Sequence, residues 1–486
     1  MNILEAKNEI KRTVKTYLMK DEDGQYRIPV LAQRPILLIG PPGIGKTAIV
    51  DQVAKECGLG LVAYTMTHHT RQSAIGLPLI EKHTYEGKEY SATEYTMSEI
   101  IESIYATMSA TGKKQGILFL DEINCVSETL APAMLSLLQR KMFGTHKVPD
   151  GWIIIGAGNP PEYNKSVRDF DIVTLDRVRK LDIKQDFTVW KSYAYEYHVH
   201  PSIISYLEIK KENFYQIETT VSGKQFVTAR GWEDLSYLIY ALEEEGEALT
   251  EETVQEYLQF PKIARDFANY YDLYNQYKED YQVGEIMEGR ISQQTVSRMK
   301  EARFDEKLSM IGLLMGYLDG DFKAYEKQND LTQKLYEILQ NVKAAGARNS
   351  KEMSACLQEQ MDSLDEKGNG KILKVLADYQ KLLAQKEDFS ALRNAFSKEV
   401  DRLEEITART QEHLNAAFDF LEATFGSGQE MVIFVTELNT SKPATNFIQQ
   451  NGCERYYHYN ELLLFHTQDQ KITREIEALR PYMDLL

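Results

Sequence analysis

The stretch Ile36-Leu37-Leu38-Ile39-Gly40-Pro41-Pro42-Gly43-Ile44-Gly45-Lys46-Thr47 decides how this chain is read. Four aliphatic residues in a row suit a parallel strand buried on both faces. The turn that follows fits G-x-x-x-x-G-K-[ST] and opens a helix. Its glycines let the backbone bend so that successive N–H groups point at a chain of phosphates. The helix start near Lys46 adds the positive end of its dipole. Lys46 then reaches the outer phosphates, and the Thr47 hydroxyl ligates Mg²⁺. The expected phosphate cradle is Gly40, Pro41, Pro42, Gly43, Ile44, Gly45, Lys46 and Thr47.

A second motif follows about 75 residues later, Gly116-Ile117-Leu118-Phe119-Leu120-Asp121-Glu122-Ile123-Asn124. Here an apolar strand ends in two carboxylates. At the C-terminal edge of a parallel sheet, where such sheets bind ligands, Asp121 supports Mg²⁺. Glu122 orients or deprotonates the attacking water. A third apolar run, Trp152-Ile153-Ile154-Ile155, ends near Gly158-Asn159-Pro160-Pro161. Asn159 at that tip is placed to touch both the terminal phosphate and the water. Arginines at 168, 177 and 179 precede a short strand, and a guanidinium can stabilise charge on a transferring phosphoryl group. Surface ion pairing with Asp169, Asp171 and Asp176 is an equal reading for any single one of them.

Composition bounds the rest. A length of 486 residues predicts two to four domains, and a 43% hydrophobic fraction supports packed cores. The net charge of −17 argues against a nonspecific binder of duplex DNA or anionic membrane. No run of basic residues interleaves with aromatics. The four cysteines, Cys57, Cys125, Cys356 and Cys453, are widely spaced and form no C-x-x-C pair. That spacing fits a reducing compartment. With no signal-peptide pattern and no apolar run of spanning length, a cytoplasmic protein is expected.

Along the chain, residues 3–20 read as an amphipathic helix. Ile28 to Leu31 reads as an extended arm near the nucleotide, and Tyr85 to Tyr90 as a turn between two short strands. Helices are expected at Met97–Ala110, Glu128–Arg140, Phe187–His198, Pro201–Leu207 and Arg230–Leu242, with a hairpin near Ile217–Phe226. Arg230 would project towards the nucleotide from a second small domain. From Ile291 to Thr424 the pattern predicts long helices broken near Gly316–Asp321, Ala345–Asn349 and Glu366–Gly370. Glu430 to Thr436 reads as a buried strand, Lys442 to Asn451 as a helix, Leu462 to Phe465 as a strand or short apolar helix, and Thr473 to Leu479 as a closing helix.

The set Gly40–Thr47, Leu118–Glu122, Asn159, Arg177 and Arg230 stands in the order used by AAA+ ATPases. In detail it resembles the MoxR branch. The residues that carry the likeness are Leu120-Asp121-Glu122-Ile123-Asn124, Pro149-Asp150-Gly151-Trp152, Gly158-Asn159-Pro160-Pro161, Leu175-Asp176-Arg177 and Thr228-Ala229-Arg230-Gly231-Trp232-Glu233. The resemblance covers about residues 1–260. It implies a parallel sheet sandwiched by helices, an appended helical lid and a homo-oligomer, usually a hexameric ring. It makes Asn159 the first sensor, Arg230 the second, and Arg177 the arginine finger that completes a neighbouring subunit's site. Family members commonly carry Phe after that arginine, where this chain has Val178, so Arg168 and Arg179 remain rival fingers. Such proteins are thought to remodel or mature protein clients, often beside a partner with a von Willebrand factor A domain.

The expected fold is therefore an α/β P-loop core at 1–185, a helical lid at 186–262, a mainly helical bundle or arm at 263–425 and a small α/β segment at 426–486. The expected activity is Mg²⁺-dependent ATP hydrolysis that remodels a protein client. The alternatives are a nucleic-acid motor on the same core, which the acidic balance weighs against, and a nucleotide-gated scaffold with little turnover, which the pair Asp121 and Glu122 argues against.

Overall fold

A computed structural model describes residues 1–68, 71–143, 145–163, 167, 170–220, 223–345, 349–364, 366–385 and 389–463. It divides into two units. The first holds 1–190, 212–235 and 257–260, and the second holds 191–211, 236–256 and 261–486. The segment expected as a lid, 186–262, is thus shared between them.

The first unit opens with α1 (Ile3–Tyr17), β1 (Ile36–Ile39), α2 (Lys46–Glu56), β2 (Gly60–Thr65) and α3 (Arg71–Ile75). A hairpin of β3 (Pro78–Tyr85) and β4 (Lys88–Tyr95) follows, then α4 (Glu99–Thr111), β5 (Gly116–Asp121) and α5 (Ala131–Arg140). The short pair β6 (Met142–Phe143) and β7 (His146–Lys147) leads to β8 (Trp152–Gly158), α6 (Ile172–Leu175) and β9 (Arg179–Asp182). Five strands form one sheet in the order β2-β5-β8-β1-β9, with every pairing parallel.

The aliphatic runs behave as period-2 strands with both faces buried. Leu37, Leu118, Leu120 and Ile154 pack on one side with Ile100, Ile101 and Ile104 of α4 and Met134, Leu137 and Leu138 of α5. Ile36, Leu38, Ile117, Phe119, Ile153 and Ile155 pack on the other with Ala6, Ile10 and Val14 of α1 and Ile49, Val50 and Val53 of α2. Helices on both faces of a parallel sheet make a three-layer α/β core. The arm at Ile28–Leu31 is partly helical instead of extended, since Val30–Ala32 forms a 3₁₀ turn after Pro29.

Crossing between the units, α7 (Phe187–Glu196) and α8 (Pro201–Ile209) precede the hairpin β10 (Gln216–Thr220) and β11 (Gly223–Val227), and α9 (Ala229–Glu245) and α10 (Glu251–Tyr257) follow. The remaining chain is helical: α11 (Pro261–Asp280), α12 (Val283–Met287), α13 (Gln293–Glu301), α14 (Phe304–Ala344), α15 (Ser350–Asp362), α16 (Glu366–Gln385), α17 (Phe389–Phe425), α18 (Gln429–Thr440) and α19 (Lys442–Asn451). Residues 454–463 are helical as well.

The spine of the second unit is α14, 41 residues long. It packs along α8, α17, α18 and α19. Buried against these helices, the Lys191 ammonium lies 2.7 Å from Glu437 and 2.8 Å from Glu208, and Tyr195 Oη donates to Glu437 at 2.7 Å. Such a set is tolerable in a core because each charge is paired and hydrogen-bonded.

Three expectations are corrected here. Glu430 to Thr436 is not a strand but part of α18, which buries Met431, Phe434, Val435 and Leu438 and leaves Val432 exposed, a spacing of three and four residues. The small C-terminal α/β segment is therefore helical among the described residues, and 464–486 lie outside them. The helix also runs unbroken through Gly316–Asp321. Glycine serves close packing there: a Cβ on Gly312 would meet Ser205 Oγ at 2.4 Å, and one on Gly316 would meet Pro201 Cβ at 2.6 Å. The break expected near Glu366–Gly370 falls just before it, since one helix ends at Asp362 and the next starts at Glu366, so that these residues form the first turn of α16. Among the described residues, no helix is long and apolar enough to cross a membrane.

Candidate functional site

The candidate nucleotide site lies at the C-terminal ends of β1, β5 and β8, where an open α/β sheet binds ligands. β1 delivers the loop Gly40–Gly45. Gly43 and Gly45 hold φ of 72° and 92°, the left-handed region glycine enters without strain. Gly45 is the N-cap of α2 and offers that helix no side-chain cap. The first-turn N–H groups of α2 are thus arranged for an anion. Gly40 is required for another reason: a Cβ there would meet the Ile183 carbonyl at 2.7 Å. Pro41 and Ile44 are buried, Pro42 half-buried.

Two residues of the later insertion, 212–235, brace this loop. Tyr215 Oη donates to the Pro42 carbonyl at 3.0 Å. The Thr228 side chain stands where a Cβ on Gly43 would approach to 3.0 Å. Neither contact has a local sequence signal, since both bring together residues more than 170 positions apart.

Lys46 is 8% exposed. Its ammonium donates to the carbonyls of Gly40 and Pro41, each at 2.8 Å, and to Asn159 Oδ1 at 2.9 Å. Burial pulls its pKa down to about 8, the Arg230 charge pulls the same way, and Asp121 and Glu122 oppose. Lys46 is therefore a cation held short of its counter-charge, and an entering phosphate supplies one.

Thr47 Oγ1 donates to Asp121 Oδ2 at 2.9 Å. Hydroxyl and carboxylate oxygens in contact at the strand tip form the hard-donor pair that suits Mg²⁺, an ion that keeps several waters and shares phosphate oxygens. Glu122 follows at φ 53°, a left-handed conformation costing a non-glycine residue roughly 1–3 kcal/mol. Its carboxylate accepts from Thr67 Oγ1 at 2.9 Å. Thr67 follows the end of β2, the neighbour of β5, and sequence reading missed it. The available signal is weak: a hydroxyl residue just after a strand that pairs with the carboxylate-bearing one.

Lys46, Thr47, Asp121, Glu122 and Asn159 are brought together, as their motifs imply. Arg230 is exposed in the first turn of α9, close enough to act on Lys46. Arg177 is exposed, and its Nη1 donates to the Val173 carbonyl at 2.6 Å. Arg179 is engaged within the core layer, donating to Thr13 Oγ1 at 2.7 Å and pairing with Glu9 of α1. Arg168 lies outside the described residues.

Parts of this chain are similar to known proteins. Residues 36–174, from the first residue of β1 into α6, match the model of the ATPase family associated with various cellular activities (AAA). Midasin from Giardia intestinalis is 29% identical over 136 residues, a stretch that is 26% of this chain and 2% of that protein. A RuvB mutant from Thermotoga maritima aligns at 15% identity over 39% of this chain and 49% of its own, with a TM-score of 0.23. Residues 36–174, which match that family model, have the parallel α/β fold with a P-loop after its first strand.

Proposed function

We propose that the protein is a Mg²⁺-dependent ATPase of the MoxR type, which hydrolyses ATP at subunit interfaces to remodel or mature a protein client. The observation that carries the reading is two hydrogen-bonded pairs at one sheet edge, Lys46 with Asn159 and Thr47 with Asp121, each at 2.9 Å, with Glu122 next in the chain to Asp121. Arg230, reaching Lys46 electrostatically, supports a second sensor on the inserted segment.

In this reading the loop N–H groups and the α2 N-terminus bind the phosphates, and Lys46 neutralises the outer ones. Thr47 and Asp121 would hold Mg²⁺, which would offset the charge that develops on the phosphates. Glu122 takes a proton from the attacking water, and Asn159 orients that water. Arg177, exposed on the surface, enters a neighbouring copy's site. The ring, the client and a von Willebrand factor A partner follow from the motif resemblance.

Replacing Glu122 with Gln tests the chemistry. ATP binding should persist while turnover falls by about 10²–10⁴-fold. A variant as fast as wild type overturns the assignment. One observation favours a second reading, a nucleotide-gated switch: the Thr67 hydroxyl already occupies Glu122. Negligible wild-type turnover at saturating ATP and Mg²⁺ would select it.

A further inference from the structure

Asn124 lies two residues past Glu122, in the turn after β5. It is 6% exposed. Its Nδ2 donates to the backbone carbonyl of Asn159 at 2.7 Å. Its Oδ1 is buried and has no hydrogen-bond partner among the described residues. A carboxamide with one end unsatisfied carries a desolvation cost beside the single hydrogen bond that it makes.

The neighbourhood is built around that side chain. Gly158 precedes Asn159, and a Cβ there would lie 2.4 Å from Asn124 Oδ1, so any other residue at 158 would displace the Asn124 side chain. Ile123 N donates to the Ala157 carbonyl at 2.9 Å, tying the same turn to the same strand. On the far side, Asn159 Oδ1 receives the Lys46 ammonium at 2.9 Å. The order of contact is Asn124 to the Asn159 backbone, then the Asn159 side chain to Lys46.

Resting on the ATPase reading above, we propose that Asn124 is a positioning residue of the nucleotide site. It fixes the backbone of Asn159, and thereby where the Asn159 carboxamide stands against the terminal phosphate and Lys46. It touches neither nucleotide nor water. Its unsatisfied oxygen is tolerated because the Nδ2 donor is needed where it is, as buried polar groups at functional sites commonly are.

The test compares Asn124→Ala and Asn124→Leu with wild type, measuring kcat and KM for ATP, equilibrium affinities for ATP and ADP, and the thermal midpoint. Leu fills the space and removes both the orphaned oxygen and the Nδ2 donor, so a merely structural role predicts normal turnover per folded site whatever the shift in the thermal midpoint. The proposal predicts folded variants with kcat lower by about 10²-fold, the scale of an ångström-sized misplacement, with KM and ADP affinity little changed. Wild-type kcat in both variants overturns it. So does failure of both to fold, which would make Asn124 a structural residue. If wild type itself does not turn over, the ATPase reading fails separately, and the ratio of ATP to ADP affinity decides: a fall in the variants supports the positioning role, an unchanged ratio overturns it.

Discussion

Lys46 shows how burial at a single residue becomes a measurable property of the site. The folded chain holds it at about 8, against an ordinary value of 10.5. Between those pH values the unfolded chain binds more protons. The nucleotide-free protein should therefore gain stability from this group as pH rises from 8 to 10.5, with no contribution to the slope below that window. A bound phosphate restores the charged form. Nucleotide binding at pH 8 should accordingly take up about half a proton per site. Calorimetry in two buffers of different ionisation enthalpy reads that uptake directly. A binding enthalpy independent of the buffer would show that Lys46 is already fully charged in the free protein. Lys46→Ala should weaken nucleotide binding in the same calorimetry, because it removes the cation expected to face the phosphates.

Glycines of α14 give opposite predictions within one helix. Gly316 packs on Pro201, so Gly316→Ala should lower the thermal midpoint, with a cost of about 1–3 kcal/mol for overpacking. Gly320, four residues on, has nothing within 4 Å of a Cβ, and Gly320→Ala should raise stability by about 0.5–1 kcal/mol. Denaturant unfolding of the two variants separates them, and a shift of the same sign in both would contradict the packing account. These positions also show where the sequence could be read and where it could not. The strands at Ile36–Ile39 and Gly116–Asp121 were legible because a parallel sheet buries both faces, leaving continuous aliphatic runs that end in polar tips. Met431-Val432-Ile433-Phe434-Val435 is equally aliphatic, yet helical, because a short apolar run carries no period of its own and neighbouring helices decide it. Gly316-Tyr317-Leu318-Asp319-Gly320-Asp321 has turn composition, but its first glycine answers to Pro201, over a hundred positions earlier. Tyr215 on Pro42, Thr67 on Glu122 and Asn124 on Asn159 were hidden in the same way, since each pairing exists only once the sheet is assembled.

Within one chain the candidate nucleotide site contains a cation, two carboxylates and a carboxamide, while the exposed Arg177 donates to its own Val173 carbonyl. Arg179 is committed to Glu9 and Thr13 in the same chain, which leaves it poorly suited to serve another. Arg179→Ala should consequently act on stability, by removing a partly buried pair, with turnover per folded site retained. The central claim is hydrolysis that needs a second copy. The most direct measurement is ATP turnover per chain against protein concentration, wild type beside Arg177→Ala, with sizing in ATP and Mg²⁺. The account predicts that wild-type specific activity rises with concentration as a larger assembly appears. It predicts also that Arg177→Ala binds nucleotide normally but turns over about 10³-fold more slowly, the scale of a trans arginine. Specific activity that stays flat with concentration, or an Arg177→Ala protein as fast as wild type, would contradict it.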